Sequence, residues 1–289
     1  MTVPPPDGSR DRRIEDPSNL YLVHPLGRLL LLPTIRAGIS ANVVSVIGLA
    51  VGACAAMAFA RWDAWPFALL GLLLAIAWLV ADGLDGMVAR ATRTASPVGR
   101  VLDGLCDHGV FALIYLSLAL TVGTAQGWAL CLAAAAAHAV QSSLYEGERA
   151  RFHRRAKGIA LTAPPPLPRN PFVRLYDSVS TSLDRIGMPL ERKLALAADP
   201  LAMGQAYAAQ AVPPMRLMSL LTANVRVLAI ALACLLADPR LFWWIELGPM
   251  TAVAIVAILW HRRVERAFGH TAAVDDRSAA PLIAKEQRQ

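Results

Sequence analysis

The chain has 289 residues, 56% of them hydrophobic and only 17% charged, with a mean hydropathy of +0.45, a balance that excludes an ordinary soluble enzyme and fits a membrane protein. Lysine and arginine number 28 against 21 acids, a net charge of +7, but they cluster beside apolar runs and form no basic face with base-reading groups, which excludes nucleic acid as a partner. Cys54, Cys106, Cys131 and Cys234 stand far apart in apolar surroundings, forming neither a zinc motif nor a disulfide framework.

Residues 1–19 are polar, charged and proline-containing, and predict a flexible cytoplasmic tail. Residues 20–36, LYLVHPLGRLLLLPTIR, mix leucines with His24, Arg28 and Arg36 and hold Pro25 and Pro33; this fits a juxtamembrane amphipathic helix lying at the interface. Residues 41–60 carry no charge over the length a bilayer core requires, which makes them the first span, and Trp62 and Trp65 follow as interfacial anchors. The second span, 64–81, rises close to 30 Å at about 1.5 Å per residue and delivers the chain to Asp82. A third span runs through GVFALIYLSLALTVG, and a fourth begins near Gly127 and pairs with it as a hairpin. The segment 146–216 opens with EGERARFHRRAKG, continues through Pro164, Pro165, Pro166 and Pro168, and reads as an extramembrane insert with amphipathic helices. Spans five and six fall at about 217–237 and 241–260, and a polar cytoplasmic tail occupies 261–289. The predicted fold is an all-α integral membrane protein with six transmembrane helices and an N-terminal juxtamembrane amphipathic helix.

Six spans place the N-terminus, the loop with Arg90, Arg93 and Arg100, the insert and the C-terminal tail on one side, and these segments hold nearly all the basic residues. The positive-inside rule makes that side cytoplasmic and predicts a multi-pass protein of the cell (inner) membrane.

The stretch DGLDGMVARATRTASPVGRVLDGLCD concentrates the chemistry. Asp82 and Asp85 are three residues apart, and Asp103 and Asp107 four, so each pair lies within about 60° on one helix face. Two such faces brought together repel unless a divalent cation joins them. Gly83, Gly86, Ala89, Gly99 and Gly104 leave room for a bulky ligand such as a nucleotide diphosphate, to which Arg90 offers a charge-assisted contact. A cation-coupled transporter is a rival of a different class, but it predicts a midplane site with broken helices, whereas these acids sit at one boundary. A polyprenyl transferase, the other rival, ordinarily separates its aspartate motifs widely.

The pattern D-x-x-D-G-x-x-A-R, eight residues, then G-x-x-x-D-x-x-x-D is unbroken from Asp82 to Asp107 and resembles the signature of the CDP-alcohol phosphotransferases, or CDP-alcohol phosphatidyltransferases. The stretch GISANVVSVIGL, with Asn42 and Ser45, is similar to the start of that family's core. The resemblance covers about residues 20–145 and 217–260 and implies a six-helix membrane domain over 20–260, interrupted by the insert. It implies two Mg2+ or Mn2+ ions per active site held by Asp82, Asp85, Asp103 and Asp107, with Asp107 also the general base. Gly86, Arg90, Ser96 and Asn42 would line the CDP site. The implied reaction passes a substituted phosphate from a CDP-alcohol donor to an acceptor alcohol in phospholipid synthesis, releasing CMP. The reading leans to CDP-diacylglycerol as donor; the alternative passes a CDP-linked polar head group to diacylglycerol or another lipid alcohol. Membrane lipids are the implied partners, and a homodimer the implied assembly.

Outside the motif, Arg226 lies inside the fifth span beside Asn224 and is a candidate for the acceptor head group, with a snorkelling arginine as the bland alternative. Arg149 leads a basic run with Arg151, Arg154, Arg155 and Lys157 that would meet either a phosphorylated acceptor or anionic lipid heads. His138, Tyr145 and Glu246 receive no role.

Overall fold

Uncharged, proline-poor runs fold as helices in a membrane because the helix satisfies every backbone group internally. The computed structural model describes residues 10–161 and 188–286, and every regular element among them is helical. A π-helical turn at Asn19–Val23 leads into α1 (His24–Arg36). α2 (Ala41–Phe59) starts on Ser40, whose hydroxyl accepts from the Val43 amide at 3.4 Å. α3 (Trp65–Ala91) takes Pro66 in its first turn, where a missing N–H costs little, and continues unbroken through both aspartates of the first pair. α4 (Pro97–Val122) is capped by Ser96 Oγ, which accepts from the Gly99 amide at 3.0 Å, and ends at Gly123 with φ +63°. α5 (Ala125–Ala156) follows after Thr124. Beyond it come α6 (188–196), α7 (Pro200–Met218), α8 (Ala223–Leu235) and α9 (Arg240–Ile245). A wide π-helical turn, Glu246–Met250, carries α9 into α10 (Thr251–Glu286).

Among the described residues, four stretches are long and apolar enough to cross a membrane: Ala41–Phe59, Trp65–Ala91, Val101–Val122 and Arg240–Phe268. Pro200–Leu221 and Ala223–Leu235, interrupted at Thr222, qualify together as a fifth. α5, expected as the fourth crossing, is not among them: its run is built on weakly apolar alanine and diluted by His138, Gln141, Ser142 and Ser143.

The chain forms two compact units, Met1–His138 with Leu220–Thr251, and Ala139–Ser219 with Ala252–Gln289. In the first, α2 packs on α3 and α4, while α1 and α8 pack on α3. Trp78, Phe111, Ile114, Ile230 and Phe242 fill the core, with the Trp78 and Phe111 rings edge to face at 5.3 Å. Helix approach depends on glycine: a Cβ on Gly52 would stand 2.3 Å from Val110 Cγ2.

Residues 10–18 differ from the flexible tail expected of them. Ile14, Glu15 and Asp16 are buried. Asp16 Oδ1 accepts from the Ser18 amide at 2.8 Å and from Asn224 Nδ2 at 3.3 Å, and Asn224 Nδ2 also donates to Ser18 Oγ at 2.6 Å. The polar groups of this segment pair with the buried Thr222 and Asn224 side chains at the start of α8. Residues 1–9, and the proline cluster within 162–187, lie outside the described residues.

The second unit also departs from expectation. Residues 146–156 extend α5 instead of opening an insert, and 261–268 belong to α10 with His261, Arg262 and Glu265 buried. Gly204 sets α7 against the end of α5, since a Cβ there would stand 2.1 Å from the Arg155 carbonyl oxygen. Around that crossing runs an ion-pair network. Glu148 accepts from Arg151 Nη2 at 2.7 Å, meets His261 Nδ1 at 2.6 Å and pairs with Arg262. Arg262 and Arg155 both pair with Glu265, and Glu191 receives Arg155 Nε and Arg154 Nη1, each at 2.7 Å. Burial alone would push the Glu148 carboxyl up, but His261, Arg262 and Arg151 hold it well below the usual carboxylate range. Burial likewise opposes ionised Glu191, and Arg154 and Arg155 outweigh it and keep that carboxyl low.

Candidate active site

The end of α3 and the start of α4 each present one acidic face, because spacings of three and four residues return to the same side of a helix. Oxygens of Asp82, Asp103 and Asp107 all lie within 4.8 Å of one another. Asp85 stands with them, within electrostatic reach of Asp82 and Asp103, while Asp107 feels Asp82, Asp103 and Asp85. Asp85 is the buried member, and its Oδ2 accepts from Ser45 Oγ of α2 at 2.5 Å.

This donor set fits a divalent cation. It is all carboxylate oxygen, hard and multiply negative, and of the kind that suits Mg2+ or Mn2+. Among the described residues, no atom outside the local helix lies within 4 Å of where a Gly104 Cβ would stand, between the two α4 acids in sequence. A second group, Glu148, His261 and Glu265, is as tightly gathered. Its two carboxylates already receive Arg151, Arg155 and Arg262, so the positive charge a cation would bring is present in the chain itself.

The nucleotide-site candidates fall in two places on the same helices. On α3, the Arg90 side chain folds back over Gly86, where a Cβ would stand 3.0 Å from Nη1. The helix directs side chains toward its N-terminus, and only glycine leaves the guanidinium that room. At the start of α4, a Cβ on Gly99 would stand 3.2 Å from Ser96 Oγ and 3.3 Å from Asn42 Oδ1, so the structure brings Asn42 and Ser96 together around Gly99. The N-terminal end of α4, beside Ser96 and Asn42, carries the positive pole of the helix dipole and so favours an anionic group.

The motif, the packed acids and the adjoining helix end all fall within α2 to α4. Residues 38–162 match the family model for CDP-alcohol phosphatidyltransferase. This stretch belongs to the CDP-alcohol phosphatidyltransferase family. That family is one of phosphotransferases, and its activity implies transfer of a phosphatidyl or phosphate group from a CDP-alcohol to an alcohol acceptor at a membrane. The match takes in α2 to α5; α1 and α6 to α10, which include the region 217–260 of the resemblance, lie outside it. No curated protein matches the chain.

The other sequence candidates are placed elsewhere in the chain. Arg226 is buried, donating through Nε to Glu246 Oε1 at 3.0 Å and through Nη1 to the Leu221 carbonyl. His138 Nδ1 lies 3.8 Å from Glu246 Oε1 and 3.5 Å from Tyr115 Oη. Arg149 belongs to the second unit, where it donates to Glu146 Oε1 at 3.2 Å and lies over the Tyr145 ring at 5.9 Å. Most of the basic run after it serves the internal network, an outcome outside both sequence readings. Sequence reasoning gave no role to Ser45 or Glu246. The signal for Glu246 was there, since an acid inside an apolar run needs a partner. For Ser45 it was only a hydroxyl on the glycine-lined face of α2.

Proposed function

We propose that the acid cluster catalyses attack of an acceptor hydroxyl on the β-phosphorus of a CDP-alcohol, with CDP-diacylglycerol the favoured donor. The observation that carries this reading is the convergence of Asp82, Asp103 and Asp107 oxygens within 4.8 Å, with Asp85 beside them. Asp82, Asp85, Asp103 and Asp107 are the residues to hold Mg2+ or Mn2+, which when bound supplies positive charge to offset the donor pyrophosphate. Asp107 takes the proton from the acceptor hydroxyl as its oxygen forms the new bond to phosphorus. The bond from that phosphorus to the bridging oxygen breaks, and CMP leaves with the electron pair. Arg90, held over Gly86, steadies a phosphoryl oxygen, and the α4 start with Asn42 and Ser96 receives the nucleotide.

α5 completes the six-helix core in this reading. Only Gly123 and Thr124 separate it from α4, and Cys131 Sγ lies 3.5 Å from the Tyr115 carbonyl oxygen, which supports an antiparallel return across the bilayer. Arg90, Arg93 and Arg100, between the acid pairs, support a site on the cytoplasmic face of the cell (inner) membrane.

The test is CMP release by purified protein with Mg2+ and a panel of CDP donors and acceptors, with products identified by mass spectrometry. A phosphatidyl product from CDP-diacylglycerol is expected; a product carrying a CDP-linked polar head group on a lipid alcohol would replace the favoured donor. Undiminished CMP release from Asp107→Asn would overturn the mechanism.

A further inference from the structure

Ser45, Gly48 and Gly52 share one face of α2, at spacings of three and four residues. A Cβ on Gly48 would stand 3.3 Å from Ala81 Cβ and 3.6 Å from Trp78 Cδ1, so the two helices meet closely just before the first aspartates. One turn away from Gly48, that approach brings Ser45 Oγ to 2.5 Å from Asp85 Oδ2, with 5% of the serine and 4% of the aspartate exposed. Ser45 Oγ also lies 3.2 Å from the Ala41 carbonyl, the ordinary back-bond of a helical serine. A hydroxyl has one proton to give, and the shorter contact, to a carboxylate, claims it. Asp85 lies within electrostatic reach of both Asp82 on α3 and Asp103 on α4, the two halves of the cluster.

We infer that Ser45 is a positioning residue for the cation site: its hydroxyl holds one Asp85 oxygen against α2 and thereby commits the other to the shared space with Asp103. Outer hydrogen bonds of this type orient ligand carboxylates and set their affinity. The inference rests on the reading of the four aspartates as a cation site and adds α2 to its construction.

The experiment measures Mn2+ binding by electron paramagnetic resonance on the full-length protein in detergent, without substrate. Ser45→Ala is expected to weaken Mn2+ binding about 10- to 100-fold, and Ser45→Thr, which keeps the hydroxyl, to bind as the wild type does. Ser45→Cys, close in size but a poor donor, is expected to behave as Ser45→Ala and serves if the alanine variant does not fold. Wild-type affinity in Ser45→Ala or Ser45→Cys overturns the inference, and so does an equal loss in Ser45→Thr, which would assign the effect to packing. Asp103→Asn separates the two levels: if it loses Mn2+ while Ser45→Ala does not, only the role of Ser45 fails. If Asp103→Asn binds as the wild type does, the cation site itself fails and this inference with it.

Discussion

Arg226 and Glu246 form an ion pair through Nε and Oε1 at 3.0 Å with both side chains shut away from solvent. Removing one partner strands the other charge, at a cost of about 3–5 kcal/mol. Arg226→Met and Glu246→Leu should therefore each lower the melting temperature in detergent sharply, and the double variant should recover most of the loss. Additive losses would refute the pairing. A head-group role for Arg226 would show differently, as a raised KM for the acceptor in Arg226→Lys with melting unchanged.

The second unit predicts an acid sensitivity. Glu148 and Glu191 both titrate below their ordinary value of 4.5 in the folded protein. Their contribution to stability is therefore complete above the unfolded value and drains away as pH falls below about 4.5 toward the folded values. Around Glu148 stand Arg151, Arg262 and His261; around Glu191 stand Arg154 and Arg155. Melting followed from pH 7 to pH 3 should fall more steeply in the wild type than in Glu148→Gln or Glu191→Gln. Parallel curves would mean that these carboxylates are not held low.

What was legible in the sequence was local. α2, α3 and α4 were readable because each holds a long uncharged apolar run, and the acid faces were readable because spacings of three and four fix a helical face without knowledge of any neighbour. The second unit was not readable: its ion pairs join Glu148 to Arg262 and Arg155 to Glu265 across 114 and 110 residues, and no periodicity carries such a pairing. The basic run at the end of α5 therefore looked like a topology signal or an anion site when most of it faces inward. Ser45 was hidden for the same reason, since its partner lies 40 residues away. The N-terminal segment misled by composition alone: polar residues that pin the start of α8 look like a solvated tail until Asn224 is in view.

Metal removal distinguishes the two gathered acid groups. Chelation with EDTA should abolish CMP release, and Mg2+ or Mn2+ should restore it. Asp107→Asn should lose about 10²- to 10⁴-fold in turnover through loss of the proton acceptor. Glu265→Gln should lower the melting temperature and leave Mn2+ binding unchanged, because its partners Arg155 and Arg262 already supply the positive charge. Weakened Mn2+ binding in Glu265→Gln would show that the second group holds a cation after all.

Gly86 and Arg90 make the sharpest kinetic prediction. A methyl group on residue 86 would stand 3.0 Å from Arg90 Nη1, at the mobile end of a long side chain, so the fold should tolerate Gly86→Ala while the guanidinium moves off its place. Losing one charge-assisted hydrogen bond, worth about 1.5–3 kcal/mol, should raise KM for the CDP donor roughly 10- to 100-fold, with melting unchanged. Arg90→Gln should do the same. If Gly86 acts only by making room for Arg90, the double variant should be no worse than Arg90→Gln alone, because the methyl group then has nothing left to displace. Independent, multiplying losses would instead mean that the donor itself approaches the bare backbone at Gly86, and steady-state kinetics on the three variants decides between the two.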